Sequence, residues 1–132
     1  NRHLSEFFQE RAVSAVASTY CHSWTFDFEG GDPLPAMVRA YADIFIARSE
    51  SFKLNYLKEI TRRFAADAIL FHDAKTCPCN SNSRYGMPQR LEQETGIPSL
   101  VISGDLNDLR CVSDEQTRTN VEAFIEQLEE RK

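Results

Sequence analysis

Residues 66–77 read Ala-Asp-Ala-Ile-Leu-Phe-His-Asp-Ala-Lys-Thr-Cys, and within them Ala68-Ile69-Leu70-Phe71 is a continuous apolar run bounded by Asp67 and His72. It is too short for a core helix and suits a strand buried on both faces. A second run of this kind, Ser99-Leu100-Val101-Ile102, follows about thirty positions later. Between them Pro88 stands where a helix starts and Gly96 where it ends, which makes the interval a crossover helix. Strand, helix, strand is the signature of a parallel pair.

Working outward, Ser113 and Gln116 have the spacing of a capping box, and Val121, Phe124, Ile125 and Leu128 follow at helical intervals. On the N-terminal side, Phe52, Tyr56, Leu57, Ile60 and Phe64 make an apolar stripe, with Lys53, Lys58, Glu59 and Arg62 toward water. Pro33 and Pro35 punctuate a loop before Met37, Val38, Tyr41, Ile44 and Phe45, a further helix. Ala12–Ser18, AVSAVAS, comes after an amphipathic turn of Leu4, Phe7 and Phe8 and reads as an additional, first strand. The expectation is an α/β fold, a small doubly wound, flavodoxin-like parallel sheet with helices on both faces. Three strands are few, so either a further strand escapes the sequence reading or a neighbouring domain completes the layer.

The 132 residues suit a single domain, residues 1–132, able to bury about two-thirds of the unfolded surface. With 20 acidic against 15 basic residues, a net charge of −5, the chain offers no footprint for nucleic acid or an anionic membrane. No apolar run nears the roughly 18 residues that span a bilayer. A cytoplasmic protein is expected, and the absence of an initial methionine suggests a processed form or a piece of something larger.

In an open parallel sheet each strand delivers its following loop to the carboxyl edge, where ligands bind. The first strand would deliver Thr19, Tyr20, Cys21, His22, Ser23 and Trp24; the next His72, Asp73, Lys75, Thr76, Cys77 and Cys79; the last Gly104, Asp105, Asn107, Asp108, Arg110 and Cys111. All four cysteines fall in these loops, although a free cysteine ordinarily behaves as a small buried hydrophobe. Their irregular spacing does not describe a secreted disulfide scaffold. Thiolates from separate loops can hold zinc or an iron-sulfur cluster. Cys77-Pro78-Cys79 is tighter than a zinc knuckle, however, and Cys21 and Cys111 taken singly read more simply as unligated thiols. His22 and His72 are either catalytic or ligand residues, or histidines that satisfy backbone groups at strand ends. Tyr20 and Trp24 either cover the sheet edge or wall a substrate pocket. Arg62, Arg63 and Lys58 read as a solvated helix face, and Gly30-Gly31 has neither nucleotide-binding spacing.

The stretches ADAILFHDAKTC (66–77), GIPSLVISGDLNDLR (96–110) and SDEQTRTNVEAFIEQL (113–128), with ASTYCHSW (17–24), resemble the C-terminal region of subunits of the 2-hydroxyacyl-CoA dehydratase and benzoyl-CoA reductase family. The resemblance implies a subunit whose [4Fe-4S] cluster is held by three cysteines, the last matching Cys77, with the other two in an N-terminal domain outside this chain. It implies a homologous partner subunit and an ATP-dependent activator protein. It also implies an acyl-CoA substrate, reduced by a single electron to a ketyl radical before water is eliminated or an aromatic ring is reduced. Thr19, Tyr20, His22, Trp24, His72 and Thr76 then become candidates for the substrate pocket or for hydrogen bonds around the cluster. Cys79, Cys21 and Cys111 are additional thiols beyond that pattern. Two other readings stand beside it: a non-catalytic metal-binding or electron-relay domain using the four loop cysteines, and a scaffold domain whose partner carries the chemistry.

Overall fold

The computed structural model describes residues 2–25, 30–77, 86–105 and 107–131. At its centre β1 (Ile69–Ala74) and β2 (Ser99–Gly104) pair in parallel, with Ile69 opposite Ser99 and Ala74 opposite Gly104. Helix α5 (Met87–Thr95) makes the crossover between them. Gly86 and Gly96 flank it, both at φ +72°, a left-handed conformation that glycine adopts at little cost, and the Gly96 N–H donates to the Glu92 carbonyl at 2.8 Å. Helix α6 (Asp114–Glu130) starts where the Ser113 hydroxyl accepts from the Gln116 N–H at 3.2 Å. The reciprocal half of the capping box is replaced, because the Gln116 amide donates forward to Asn120.

Strand side chains alternate between faces. Ile102, with Leu100 beside it, packs against Phe7 of α1 (Arg2–Glu10) and Val121 and Ile125 of α6. Phe71, one position out of phase, is buried outside that cluster, as are Met87, Pro88 and Leu91 of α5. Helices therefore serve both faces, and the fold is the small α/β type expected. Burial is less complete than the apolar runs imply, since Leu70 and Val101 are both exposed.

The first strand is not formed. Residues 13–18 have no regular structure, and α1 closes at Ala12, which takes φ +54° while the Val13 N–H donates to the Phe8 carbonyl at 2.8 Å. The physical reason lies in composition: Ala12, Ser14, Ala15, Ala17 and Ser18 have little apolar area to bury and low strand preference. Val16, which would have to anchor such a strand, is 51% exposed.

Two compact units divide the chain, one made of residues 1–14 and 65–132, the other of 15–64. The second unit contains α2 (Thr19–Ser23), α3 (Pro33–Ala42), a 3₁₀ turn at Phe45–Ala47 and α4 (Glu50–Arg63). The Asp32 carboxylate caps α3 by accepting from the Leu34 N–H at 3.1 Å, and the Ser49 hydroxyl caps α4 through the Phe52 N–H at 3.3 Å. The buried row of α4 is Leu54, Leu57 and Thr61, which turns Phe52 and Phe64 outward from the expected stripe. No helix among the described residues is long and apolar enough to cross a membrane.

Candidate functional site

At the carboxyl edge of the parallel pair two loops are tied together by one carboxylate. Asp105, the residue after β2, is only 7% exposed. Its Oδ2 accepts from the Thr76 N–H at 2.6 Å, and its Oδ1 from the Thr76 hydroxyl at 2.8 Å. The same Oδ1 accepts from the N–H groups of Asn107 at 2.8 Å and Asp108 at 3.3 Å, an Asx turn that closes its own loop. Four donors on one carboxylate favour its charged form, and the Thr76 hydroxyl has the largest effect, followed by the Asn107 and Thr76 N–H groups. The carboxyl is held down to about 2 from an ordinary 3.8.

This clasp sits directly before Cys77. The Cys77 N–H donates to the Ala74 carbonyl at 3.1 Å, closing the turn, and the Lys75 N–H reaches the Gly104 carbonyl at 3.4 Å. The thiol of Cys77 is free and exposed. Beside the turn, Lys75 pairs with Asp73.

His72 belongs to β1 itself, because the strand extends to Ala74 rather than stopping at Phe71. Its imidazole lies over Gly104: a Cβ built on that glycine would meet Nε2 at 2.4 Å. Gly104 is thus the flat floor that lets His72 lie across the sheet. Cys111 is half-buried in a 3₁₀ turn (Leu109–Cys111), its N–H donating to the Asp108 carbonyl at 3.2 Å. In the same loop the Arg110 guanidinium pairs with Asp108 at 2.8 Å, which lowers the Asp108 carboxyl and raises Arg110.

The remaining candidates lie in the other unit. Thr19 to Ser23 form α2 instead of a loop after a strand, so Cys21 is a helical, exposed thiol. The Ser23 hydroxyl donates to the Thr19 carbonyl at 2.8 Å and the Thr25 hydroxyl to Cys21 at 3.2 Å, local bonds that hold this single turn without strand partners. Tyr20 and Trp24 meet edge to face at 6.1 Å and stay 66% and 56% exposed. Cys79 and the side chain of His22 fall outside the described residues.

Thr76 is therefore brought to Asp105, with Cys77 next to it in sequence, and His72 to Gly104. Asp105 carried no special expectation beyond its place in the loop, although an Asp two residues before an Asn is a turn signal. No three His, Cys, Asp or Glu side chains among the described residues group as metal ligands. The donor chemistry fits a [4Fe-4S] cluster at one corner only: an exposed soft thiol on a fixed turn, with further thiolates needed from outside the described residues.

Residues 1–128 match the family described as 2-hydroxyglutaryl-CoA dehydratase, D-component. The (R)-2-hydroxyisocaproyl-CoA dehydratase alpha subunit of Clostridioides difficile is 30% identical over 124 residues, covering 91% of this chain and 29% of that protein. The lactoyl-CoA dehydratase subunit alpha of Anaerotignum propionicum is 26% identical over 115 residues, 86% of this chain and 27% of that one. The (R)-phenyllactyl-CoA dehydratase alpha subunit of Clostridium sporogenes is 27% identical over 131 residues, 99% of this chain and 31% of its own length. The chain spans about three-tenths of the length of these curated relatives.

Proposed function

The chain belongs to the 2-hydroxyglutaryl-CoA dehydratase D-component family, and from that premise we propose that it works within a cytoplasmic 2-hydroxyacyl-CoA dehydratase, contributing one cluster ligand and part of the acyl-CoA pocket. The single observation behind this reading is the position of Cys77. Its thiol is free and exposed on a turn at the carboxyl edge of the sheet, where α/β folds bind ligands, in a chain matched by the family through residue 128. Elimination of water is favoured over ring reduction because each of the three relatives above is named as a dehydratase subunit.

Cys77 supplies a thiolate to a [4Fe-4S] cluster whose other ligands come from outside the described residues. When bound, the cluster would supply single-electron reduction of the substrate thioester, its electron coming from an ATP-dependent activator. The protein's own contributions are positional. The Asp105–Thr76 clasp fixes the turn that carries the thiol, and Gly104 leaves room for His72 along the same edge. Within the other unit, Tyr20 and Trp24 form an exposed aromatic pair of the kind that contacts apolar groups. A homologous partner subunit completes the assembly.

The test is Cys77→Ser in the full-length subunit, assembled with its partner and activator. Removal of a ligand should cost more than the roughly 10- to 100-fold typical of outer hydrogen-bond partners, so turnover of a 2-hydroxyacyl-CoA should fall by at least about 100-fold, with iron lost in parallel. Unchanged turnover would leave the scaffold reading in its place.

A further inference from the structure

We propose that Asp105 is a positioning residue for the cluster ligand, holding the Cys77 turn in the one conformation that presents its thiol to the cluster; this rests on the ligand reading of Cys77. Three observations carry it. Asp105 is almost fully buried although it is charged, and a buried carboxylate is retained only where donors satisfy it. Two of its four bonds cross to Thr76, 29 positions away in sequence, whereas the other two stay in its own loop. A bond pair to both the N–H and the hydroxyl of one residue fixes orientation as well as distance, and that residue precedes Cys77 directly.

Among the described residues, two further backbone bonds hold the turn. The Cys77 N–H reaches back to Ala74, and the Lys75 N–H reaches Gly104 at a long 3.4 Å. Among the described residues the crossing pair on Thr76 is the shortest link between the two loops, so its loss loosens the backbone that carries Cys77. Metal affinity responds to such freedom, because a ligand that must be ordered on binding costs entropy that a fixed one does not. Thr76 takes part through its hydroxyl, which valine lacks and serine keeps.

The experiment uses the full-length subunit with its partner, loaded anaerobically with iron and sulfide, and compares wild type with Asp105→Ala, Thr76→Val, Thr76→Ser and Cys77→Ser. Three quantities are read: iron per subunit, the rate of iron loss to a ferrous chelator, and the electron paramagnetic resonance spectrum of the reduced cluster. Asp105→Ala should load iron yet release it on the order of tenfold faster, with a shifted spectrum; Thr76→Val should fall between it and wild type, and Thr76→Ser should restore wild-type behaviour. An Asp105→Ala protein with wild-type release rate and spectrum, alongside a Cys77→Ser protein that loses its iron, overturns the positioning role and leaves the ligand reading standing. Full iron retention by Cys77→Ser overturns both. If Asp105→Ala fails to accumulate, Thr76→Val decides alone: faster release that serine reverses supports the role, and wild-type release overturns it.

Discussion

Asp105 ionises more readily folded than unfolded, so its bonds contribute stability that depends on pH with a defined sign. A carboxyl lowered to about 2 from 3.8 contributes fully above about pH 4, and the contribution is lost as pH falls through about 2. Urea midpoints measured from pH 6 down to 2 should therefore decline more steeply for wild type than for Asp105→Asn, which cannot titrate; parallel curves would show that folding does not lower the Asp105 carboxyl. Gly104 permits a second residue-scale test. Alanine there would place a Cβ 2.4 Å from His72 Nε2, and the imidazole must move. Because His72 is exposed and the clash is with the far end of its ring, Gly104→Ala should cost no more than about 1 kcal/mol, and His72→Ala should relieve most of it, a coupling that a double-mutant cycle on urea midpoints measures. Additive costs would mean the contact is not the cause. The candidates Thr76 and Cys77 were legible in the sequence as residues delivered by a strand to its edge. Asp105 was legible in the same way, but its bonds to Thr76 were not, because the two lie 29 positions apart and spacing along a chain contains no distances.

Helix punctuation is where local sequence and structure agree best. Ser49, Pro88, Gly96 and Ser113 each act through bonds or dihedrals within a few residues, so their meaning survives without tertiary context. Two other helix ends lack that punctuation. Ala12 after α1 and Ala65 after α4 take φ +54° and +47°, positions that glycine fills more cheaply. The left-handed conformation costs a residue with a Cβ about 1–2 kcal/mol, whereas the extra freedom of unfolded glycine costs roughly 0.5–1 kcal/mol. The steric term is larger, so Ala12→Gly and Ala65→Gly should each raise the urea midpoint by about 0.5 kcal/mol equivalent, and Gly96→Ala should lower it by about 1 kcal/mol. A fall with either glycine would mean that entropy outweighs strain there. The run Ala12–Ser18 failed as a strand for the complementary reason: apolar continuity predicts burial only where the side chains are large enough to gain from it.

Across the whole molecule, apolar residues at helical spacing do not all face inward. On α3, Leu34, Met37, Val38 and Tyr41 form an i, i+3, i+4, i+7 stripe that is 45% to 68% exposed, while the buried positions of that helix are Ala36 and Ala40. Periodicity identifies an apolar face and leaves open what it faces. Leu34 and Leu91 make the difference measurable, since the same substitution should have very different costs at the two sites. Leu91 is fully buried in α5, and Leu91→Ala should cost about 2–5 kcal/mol, a large part of the 5–15 kcal/mol that ordinarily separates folded from unfolded states. Leu34 is 68% exposed, so Leu34→Ala should change the urea midpoint by less than about 0.5 kcal/mol equivalent. It should also reduce binding of an apolar fluorescent dye to the 132-residue chain, because it trims a contiguous exposed patch. A Leu34→Ala cost near that of Leu91→Ala would show the stripe to be covered in solution, whereas an unchanged midpoint with weaker dye binding would show it open to water.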